Sequence, residues 1–186
     1  MKIAFCSRAR VHFRLLSMRT GYRQDQDAGA KVRSVDSLLC ELERQRKKNK
    51  TIVFTNGCFD VLHRGHVEYL QFCRRQGDVV VVGLNSDSSV RTIKGPDRPI
   101  NNQHDRAVVL GGLEAVDYVT IFDEPTPLRL IQQVRPDVLV KGEDWAQKGV
   151  VGREFVESYG GKVALAPLVD GKSSTATIEK VKALDV

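Results

Sequence analysis

Five apolar runs, separated by amphipathic segments, constrain the fold of this chain more than any other feature. The runs occupy residues 51–54, 79–84, 118–122, 138–140 and 163–166. Apolar residues recur at helical spacing between and after them, at 65–75, 103–114, 126–134, 151–159 and 174–183. Continuous apolar strands that alternate with helices are typical of a parallel sheet covered on both faces. We therefore predict a doubly wound, Rossmann-like α/β fold with about five parallel strands and helices on both faces.

A further helix is predicted ahead of the first strand. Ser34 or Asp36 can cap its beginning, and the basic residues at 44–48 suit the negative end of its dipole. Residues 1–30 show no comparable periodicity. We expect 1–30 to form a flexible basic extension and 31–186 to form one domain.

The charge distribution argues against a nucleic-acid partner. The formal net charge is +6, but residues 1–50 hold 13 Lys and Arg against 5 Asp and Glu, so the basic excess lies in the N-terminal extension and the first predicted helix, ahead of the five apolar runs. A nucleic-acid-binding domain would carry its basic residues on the folded face that binds. We expect no nucleic-acid partner.

Neither a membrane nor an oxidising compartment is indicated. No apolar run approaches the roughly 20 residues that a membrane-spanning helix needs, and Arg8, Arg10 and Arg14 interrupt any signal-peptide core. The four cysteines show no paired spacing. Reduced thiols and a cytoplasmic location are therefore expected, without membrane association.

The stretch from Thr55 to His66 predicts a phosphate site. A buried strand ends there in a glycine-containing turn, and a helix begins with His63 and His66, whose spacing allows both imidazoles to face one ligand. Gly65 permits close backbone approach, and the free N–H groups of a helix start attract anions. Two alternatives are a structural pair of histidines and a zinc site with Cys58 as third ligand, although no fourth ligand lies nearby.

Three later blocks suggest further contacts with a nucleotide. Lys94 and Arg98 lie in a predicted loop after the second strand, which is rich in glycine and proline and suits polyanion capture. Gly142 to Trp145 follow a strand, where Asp144 can bond ribose hydroxyls and Trp145 can cover a ring. Ser173 to Thr175 open the last helix, and three successive hydroxyls exceed what an N-cap needs.

The His63-x-Gly65-His66 element, with the Asn56-to-Asp60 turn before it, resembles the signature of the HxGH nucleotidyltransferase superfamily. From about Lys31 onward the chain is most similar to its heptose 1-phosphate adenylyltransferases, the ADP-heptose synthases of lipopolysaccharide core biosynthesis. The resemblance implies a single nucleotidyltransferase domain that transfers AMP from ATP to D-glycero-β-D-manno-heptose 1-phosphate. Pyrophosphate would be released, and Mg²⁺ would accompany the ATP as cofactor.

The resemblance also assigns roles to residues. The catalytic residues would be His63, His66 and Lys94. Nucleotide binding would fall to Thr55, Asn56, Gly57, Phe59, Gly65, His66, Gly142, Asp144, Ser173, Ser174 and Thr175. The acceptor or its phosphate would meet Asp60, Arg98, Arg106 and Trp145. No side chain is assigned to a metal.

Several of these assignments have open alternatives. Asp60 could orient a histidine or cap the helix, and Arg106 could make an ordinary surface ion pair. Glu143 stands where the family often has glycine, which leaves the local loop conformation open.

The function also has rivals. The main one is a cytidylyltransferase acting on a polyol or amino-alcohol phosphate such as glycerol 3-phosphate. Its relatives carry an arginine near Leu168 that is absent here. A regulatory nucleotide-binding module is a further alternative. The resemblance suggests a homodimer, and we expect a separate sugar kinase to supply the acceptor.

Overall fold

A five-stranded parallel sheet forms the centre of the molecule. The computed structural model describes residues 27–169, 171 and 173–184. The strands are β1 (Ile52–Gly57), β2 (Val79–Asn85), β3 (Tyr118–Phe122), β4 (Val138–Gly142) and β5 (Lys162–Ala166). All pairings are parallel, in the order β3-β2-β1-β4-β5. The predicted fold class is confirmed.

Seven α-helices are found among the described residues. They are α1 (Val35–Arg46), α2 (Arg64–Arg75), α3 (Asp87–Lys94), α4 (Gln103–Gly111), α5 (Leu128–Val134), α6 (Arg153–Ser158) and α7 (Ser174–Lys182). Short 3-10 turns lie at Ala28–Lys31 and Glu143–Trp145. None of the helices in the described part of the chain is long and apolar enough to cross a bilayer.

Helix α3 was missed by the sequence prediction. The segment after β2 was expected to be a loop, but Ser86 caps a helix there by accepting a hydrogen bond from the Ser89 backbone N–H. The helix is only eight residues long, and Val90 is its one buried apolar side chain. So short a helix shows too little periodicity to be recognised.

The two faces of the sheet are covered by different helices because neighbouring strand residues point to opposite sides. Val81 of β2 packs with Leu38 and Leu42 of α1, in a cluster that also includes residues of α5 and α6. Val82, one residue later, packs with Leu70 of α2 and with residues of α4. The predicted N-terminal helix therefore covers one face, and Ser34 caps it as expected.

The position of β1 determines where a ligand can bind. β1 pairs with β2 on one side and with β4 on the other. Strands β2 and β3 are therefore added towards one edge of the sheet, and β4 and β5 towards the other edge. Such a reversal opens a crevice at the carboxyl ends of the strands. The segments that follow β1 and β4 are those in which the sequence placed most of the candidate residues.

The described chain joins the domain ahead of the predicted boundary at residue 31. The Lys31 ammonium donates to the carbonyl of Val116 at 2.8 Å and to that of Leu113 at 3.3 Å. The carbonyl of Ala28 lies directly against Gly111 of α4. Residues 27–30 thus belong to the packed structure, whereas 1–26, and with them most of the predicted extension, lie outside the described residues.

Replacing Gly111 by alanine tests this packing. An added Cβ would lie 2.4 Å from the Ala28 carbonyl oxygen, so one of the two backbones must shift. We expect Gly111→Ala to lower the free energy of unfolding by about 1–3 kcal/mol, although alanine favours helix more than glycine. Urea denaturation is the measurement.

The neighbouring glycine provides the matched control. Gly112 has an ordinary helical φ of −68°, and a Cβ there would lie 3.3 Å from the Val109 carbonyl oxygen. Gly112→Ala should change the stability by no more than about 0.5 kcal/mol. Equal effects of the two substitutions would contradict the tight contact at Ala28.

Candidate active site

A cavity of about 460 Å³ lies at the carboxyl ends of the strands, beside the reversal point at β1. Most of the residues predicted from the sequence line it. They are Asn56, Gly57, Phe59, Asp60, His63, Gly65, His66, Lys94, Arg98, Gly142, Asp144, Trp145, Ser173, Ser174 and Thr175. Segments far apart in the chain therefore converge on one volume of a size suited to a small-molecule ligand.

The turn between β1 and α2 shapes one wall. Phe59 adopts a φ of +45°, a left-handed conformation uncommon for a bulky residue. A Cβ on Gly57 would lie 3.0 Å from the Phe59 ring, so glycine lets that ring fold back over the turn. The ring centroid of Phe59 then lies 5.2 Å from that of His66. Strained backbone of this kind is common at binding sites.

His63 and His66 stack on one another at the start of α2. Their ring centroids are 3.9 Å apart and the rings are inclined by 24°. Burial, and then the neighbouring His63, lower the pKa of His66 to about 4. His66 is therefore neutral at pH 7 and donates one N–H. Its buried Nδ1 has no hydrogen-bond partner among the described residues.

Asp60 holds the segment that carries Arg98. One carboxylate oxygen accepts a hydrogen bond from Arg98 Nε at 2.5 Å. The other accepts from the backbone N–H groups of Ile100 at 2.7 Å and Asn101 at 3.1 Å. These bonds fix Arg98 on the cavity wall. Asp60 does not cap α2, because the N-cap residue of that helix is His63. The predicted contacts of Asp60 with a histidine or with the acceptor stay predictions.

Arg106 lies behind the cavity wall, so its predicted contact with the acceptor needs correction. Its side chain is 1% exposed. It donates to the carbonyls of Asn101, Cys58 and Asn85 at 2.9, 2.6 and 2.9 Å, and to Asp87 Oδ1 at 2.7 Å. The surface ion pair considered as an alternative is also wrong. This arginine joins the segments that form the site.

Thr55 does not reach the cavity either. The residue is fully buried, and its hydroxyl lies 2.6 Å from the Tyr69 hydroxyl, which in turn donates to the Val140 carbonyl at 3.1 Å. The side chain of Thr55 therefore links β1 to α2, and Tyr69 is the member of this pair that lines the cavity.

The three hydroxyls at the start of α7 have separate structural roles. Ser173 caps the helix by accepting from the Ala176 N–H at 3.0 Å. The Ser174 hydroxyl donates to the Val61 carbonyl at 2.9 Å, which ties α7 to the turn before α2. Thr175 lines the cavity and is exposed. The helix start therefore presents N–H groups and one hydroxyl to an anion.

The turn after β4 depends on Gly142. A Cβ there would lie 2.6 Å from Asp144 Oδ1, so glycine allows the carboxylate to fold back over the strand end. Trp145, 37% exposed, lines the cavity beyond it. Glu143, the departure from the family pattern, accepts a hydrogen bond from the Leu168 N–H at 2.8 Å. The carboxylate thus connects this turn to the segment before α7.

Lys141 is the main cavity residue that the sequence reasoning missed. It is only 6% exposed, and its ammonium donates to Asn56 Oδ1 at 2.6 Å. The available signal was a lysine near the end of the otherwise apolar β4. Further lining residues not predicted are Cys58, Tyr69, Asn85, Ile93, Pro125, Pro127, Val151, Pro167, Leu168 and Val169.

The described residues form no metal site from protein side chains alone. No group of three or more His, Cys, Asp or Glu in the described residues is placed to hold an ion, so the zinc alternative lacks a ligand set. Mg²⁺ commonly keeps several waters and binds through substrate phosphates with one or two carboxylates. Two carboxylates of the described chain line the cavity. Asp60 is occupied by backbone N–H groups, whereas Asp144 is exposed and accessible to a ligand.

The comparisons with known sequences agree with this site. The family model described as cytidylyltransferase-like matches residues 54–175. The chain is 55% identical over 152 residues to the "Bifunctional protein HldE" of Syntrophotalea carbinolica, covering 82% of this chain and 31% of that protein. It is 53% identical over 158 residues to the protein of the same name from Geobacter metallireducens, covering 85% and 32%. The chain thus spans about a third of the length of these relatives.

Solved structures show the same fold. The lipopolysaccharide core biosynthesis protein from Thermoplasma volcanium aligns with a TM-score of 0.54 and 26% identity, over 66% of this chain and 99% of that one. Pantothenate synthetase from Thermus thermophilus aligns with a TM-score of 0.52 and 23% identity, over 75% and 62%, which supports the fold alone. The family match extends from the last apolar residues of β1 to Thr175 of α7 and so includes the histidine pair. The chain belongs to the cytidylyltransferase-like family.

Proposed function

We propose that this chain transfers AMP from ATP to D-glycero-β-D-manno-heptose 1-phosphate. A phosphate oxygen of the acceptor forms a bond to the α-phosphorus of ATP, the bond from that phosphorus to the bridging oxygen breaks, and pyrophosphate leaves. The observation that carries the proposal is the convergence of the stacked histidines, Lys94, Arg98 and the start of α7 on one cavity. The identity to the HldE proteins favours this reaction over others of the family.

The histidine pair suits the charge that develops during this transfer. Negative charge builds on the α-phosphoryl oxygens and on the departing pyrophosphate, and fixed donors stabilise it without a covalent intermediate. A neutral His66 can donate one N–H to such an oxygen. Lys94, exposed at the end of α3, adds positive charge to the cavity lining, and Arg98, whose charge is paired with Asp60, adds N–H donors.

Other residues of the cavity wall suit an adenosine. Trp145 offers a ring face to the base, and Asp144 offers a carboxylate to ribose hydroxyls. The segment before α7 contributes the side chain of Leu168, where related cytidylyltransferases place an arginine. An apolar wall there favours adenine over cytosine.

The remaining components follow from this reaction. Mg²⁺ is proposed to enter with ATP and to neutralise triphosphate charge, while the helix start at α7 receives the terminal phosphates. A sugar kinase would form the acceptor phosphate. We also propose that the protein is a homodimer. The free thiols of Cys40, Cys58 and Cys73 accord with a cytoplasmic location.

Nucleotide preference tests the proposed function directly. With heptose 1-phosphate as acceptor, we expect kcat/KM for ATP to exceed that for CTP by at least about tenfold, because the cavity has Leu168 in place of an arginine. Pyrophosphate release measured with each nucleotide gives the ratio. Equal or faster turnover of CTP, with this acceptor or with glycerol 3-phosphate, would replace the proposal by the cytidylyltransferase alternative.

Replacing His66 by alanine separates transition-state from ground-state interactions. We expect kcat to fall by about a hundredfold or more, because one donor to developing charge is lost. ATP affinity measured by calorimetry should change far less. His104→Ala, at an exposed helix position away from the cavity, is the control and should retain full turnover. Normal turnover in His66→Ala would remove this residue from the mechanism.

The lowered pKa of His66 also makes stability depend on pH. Its folded pKa of about 4 lies below the usual value of 6.5, so the unfolded chain binds the proton first as the pH falls. Stability from this group is present above pH 6.5 and is lost towards pH 4, by about 2 kcal/mol between pH 7 and 5.

The matched variants isolate this contribution. Urea denaturation at pH 7 and pH 5 should show a smaller loss of unfolding free energy in His66→Asn than in the unsubstituted protein. The exposed His104→Asn should retain the original loss. Identical pH dependence in His66→Asn and the unsubstituted protein would show that His66 is not desolvated.

A further inference from the structure

Lys141 is buried beside β1, where the order in which strands are added to the sheet reverses. It precedes the last residue of β4, the strand that pairs with β1, and its ammonium reaches across to the end of β1. Nζ lies 2.6 Å from Asn56 Oδ1 and 3.5 Å from the Asn56 carbonyl oxygen. Both residues line the cavity.

This contact determines which way the Asn56 amide faces. An ammonium group has only donors, so it must meet the amide oxygen rather than the NH₂ group. The Nδ2 of Asn56 is then directed away from Lys141, and it donates a hydrogen bond to no described residue. The lysine thereby selects one of the two amide orientations.

Packing alone does not account for a lysine at this position. The residue is 6% exposed, and burial lowers its pKa to about 8, which means that its charged form is desolvated at a cost. Its Nζ also lies 5.2 Å from the centroid of the Trp145 ring, on the same wall. Apolar residues of similar volume commonly replace buried charges without loss of stability.

We propose that Lys141 is a positioning residue of the nucleotide site, which fixes the Asn56 amide so that its NH₂ group donates to the bound nucleotide. This inference rests on the proposed function, because it takes ATP to be the occupant of the cavity. Lys141 acts through Asn56, and the two side chains form one recognition unit at the junction of β1 and β4.

Lys141→Met tests the positioning role with a side chain of similar length and no donor. We expect ATP affinity measured by calorimetry to fall by about tenfold, the size of effect typical for losing one oriented hydrogen bond. KM for ATP should rise in parallel, whereas kcat at saturating ATP should change less than about threefold. The melting temperature should stay equal or rise, since a desolvated charge is removed.

Lys148→Met is the matched control. This lysine also lies over the Trp145 ring, at 5.7 Å, but its side chain is 65% exposed and it does not line the cavity. The same substitution there should leave ATP affinity within about twofold of the unsubstituted value. A tenfold loss in Lys148→Met as well would show that removing either cation near the tryptophan weakens binding, and would overturn the specific role of Lys141.

A double-mutant cycle tests whether Lys141 acts through its neighbour. Asn56→Ala should weaken ATP binding about as much as Lys141→Met, and the double variant should bind no more weakly than either single one. If the two losses multiply, the residues act independently and the inference is wrong. Unchanged affinity in Lys141→Met would also refute it.

Asn56→Asp keeps the test decisive if Lys141→Met does not fold. The aspartate retains an acceptor for Lys141 but lacks the NH₂ donor, so ATP affinity should still fall by about tenfold while the protein stays folded. Unaltered affinity would overturn the inference. If the unsubstituted protein binds no ATP, the proposed function fails as well, whereas normal binding in all variants removes only the role of Lys141.

Discussion

The buried guanidinium of Arg106 is the interaction on which the arrangement of the site depends. It donates to the turn after β1, to the end of β2, to the first residue of α3 and to the segment before α4. Three of these partners are backbone carbonyls, and the bond to the Asn85 carbonyl is buried, where an unpaired acceptor would be costly. The histidine turn and the Arg98 segment are therefore held relative to one another by a residue that faces no ligand.

The sequence predicted the sheet well because its central strands, β1, β2 and β4, are almost completely buried. Apolar runs of this kind cannot alternate with polar residues, so each was visible without any knowledge of its partners. The helix α3 could not be recognised in the same way, since only Val90 of its eight residues is a buried apolar side chain. Its boundary depends on a capping serine and on contacts with distant segments.

The sequence identified which residues line the cavity better than it identified what their side chains contact. The cavity residues identified from the sequence share motif positions at strand ends, where the topology itself brings them together. The roles of Thr55 and Arg106 were misjudged because a motif does not show which atoms tertiary contacts already occupy. Lys141 was overlooked for the same reason: its significance comes from one hydrogen bond to a residue 85 positions earlier.

The hydrogen bond from the Leu168 N–H to Glu143 has a consequence for how the cavity wall is held together. Leu168 leads within a few residues to Ser173, the cap of α7, while Glu143 begins the turn that carries Trp145. The Glu143 carboxylate therefore joins the turn after β4 to the segment after β5, and both Trp145 and Leu168 line the cavity. A glycine at position 143, which the family often has, could not accept this bond, so the residue in which the chain departs from the family pattern supplies the cross-link between these two parts of the cavity wall.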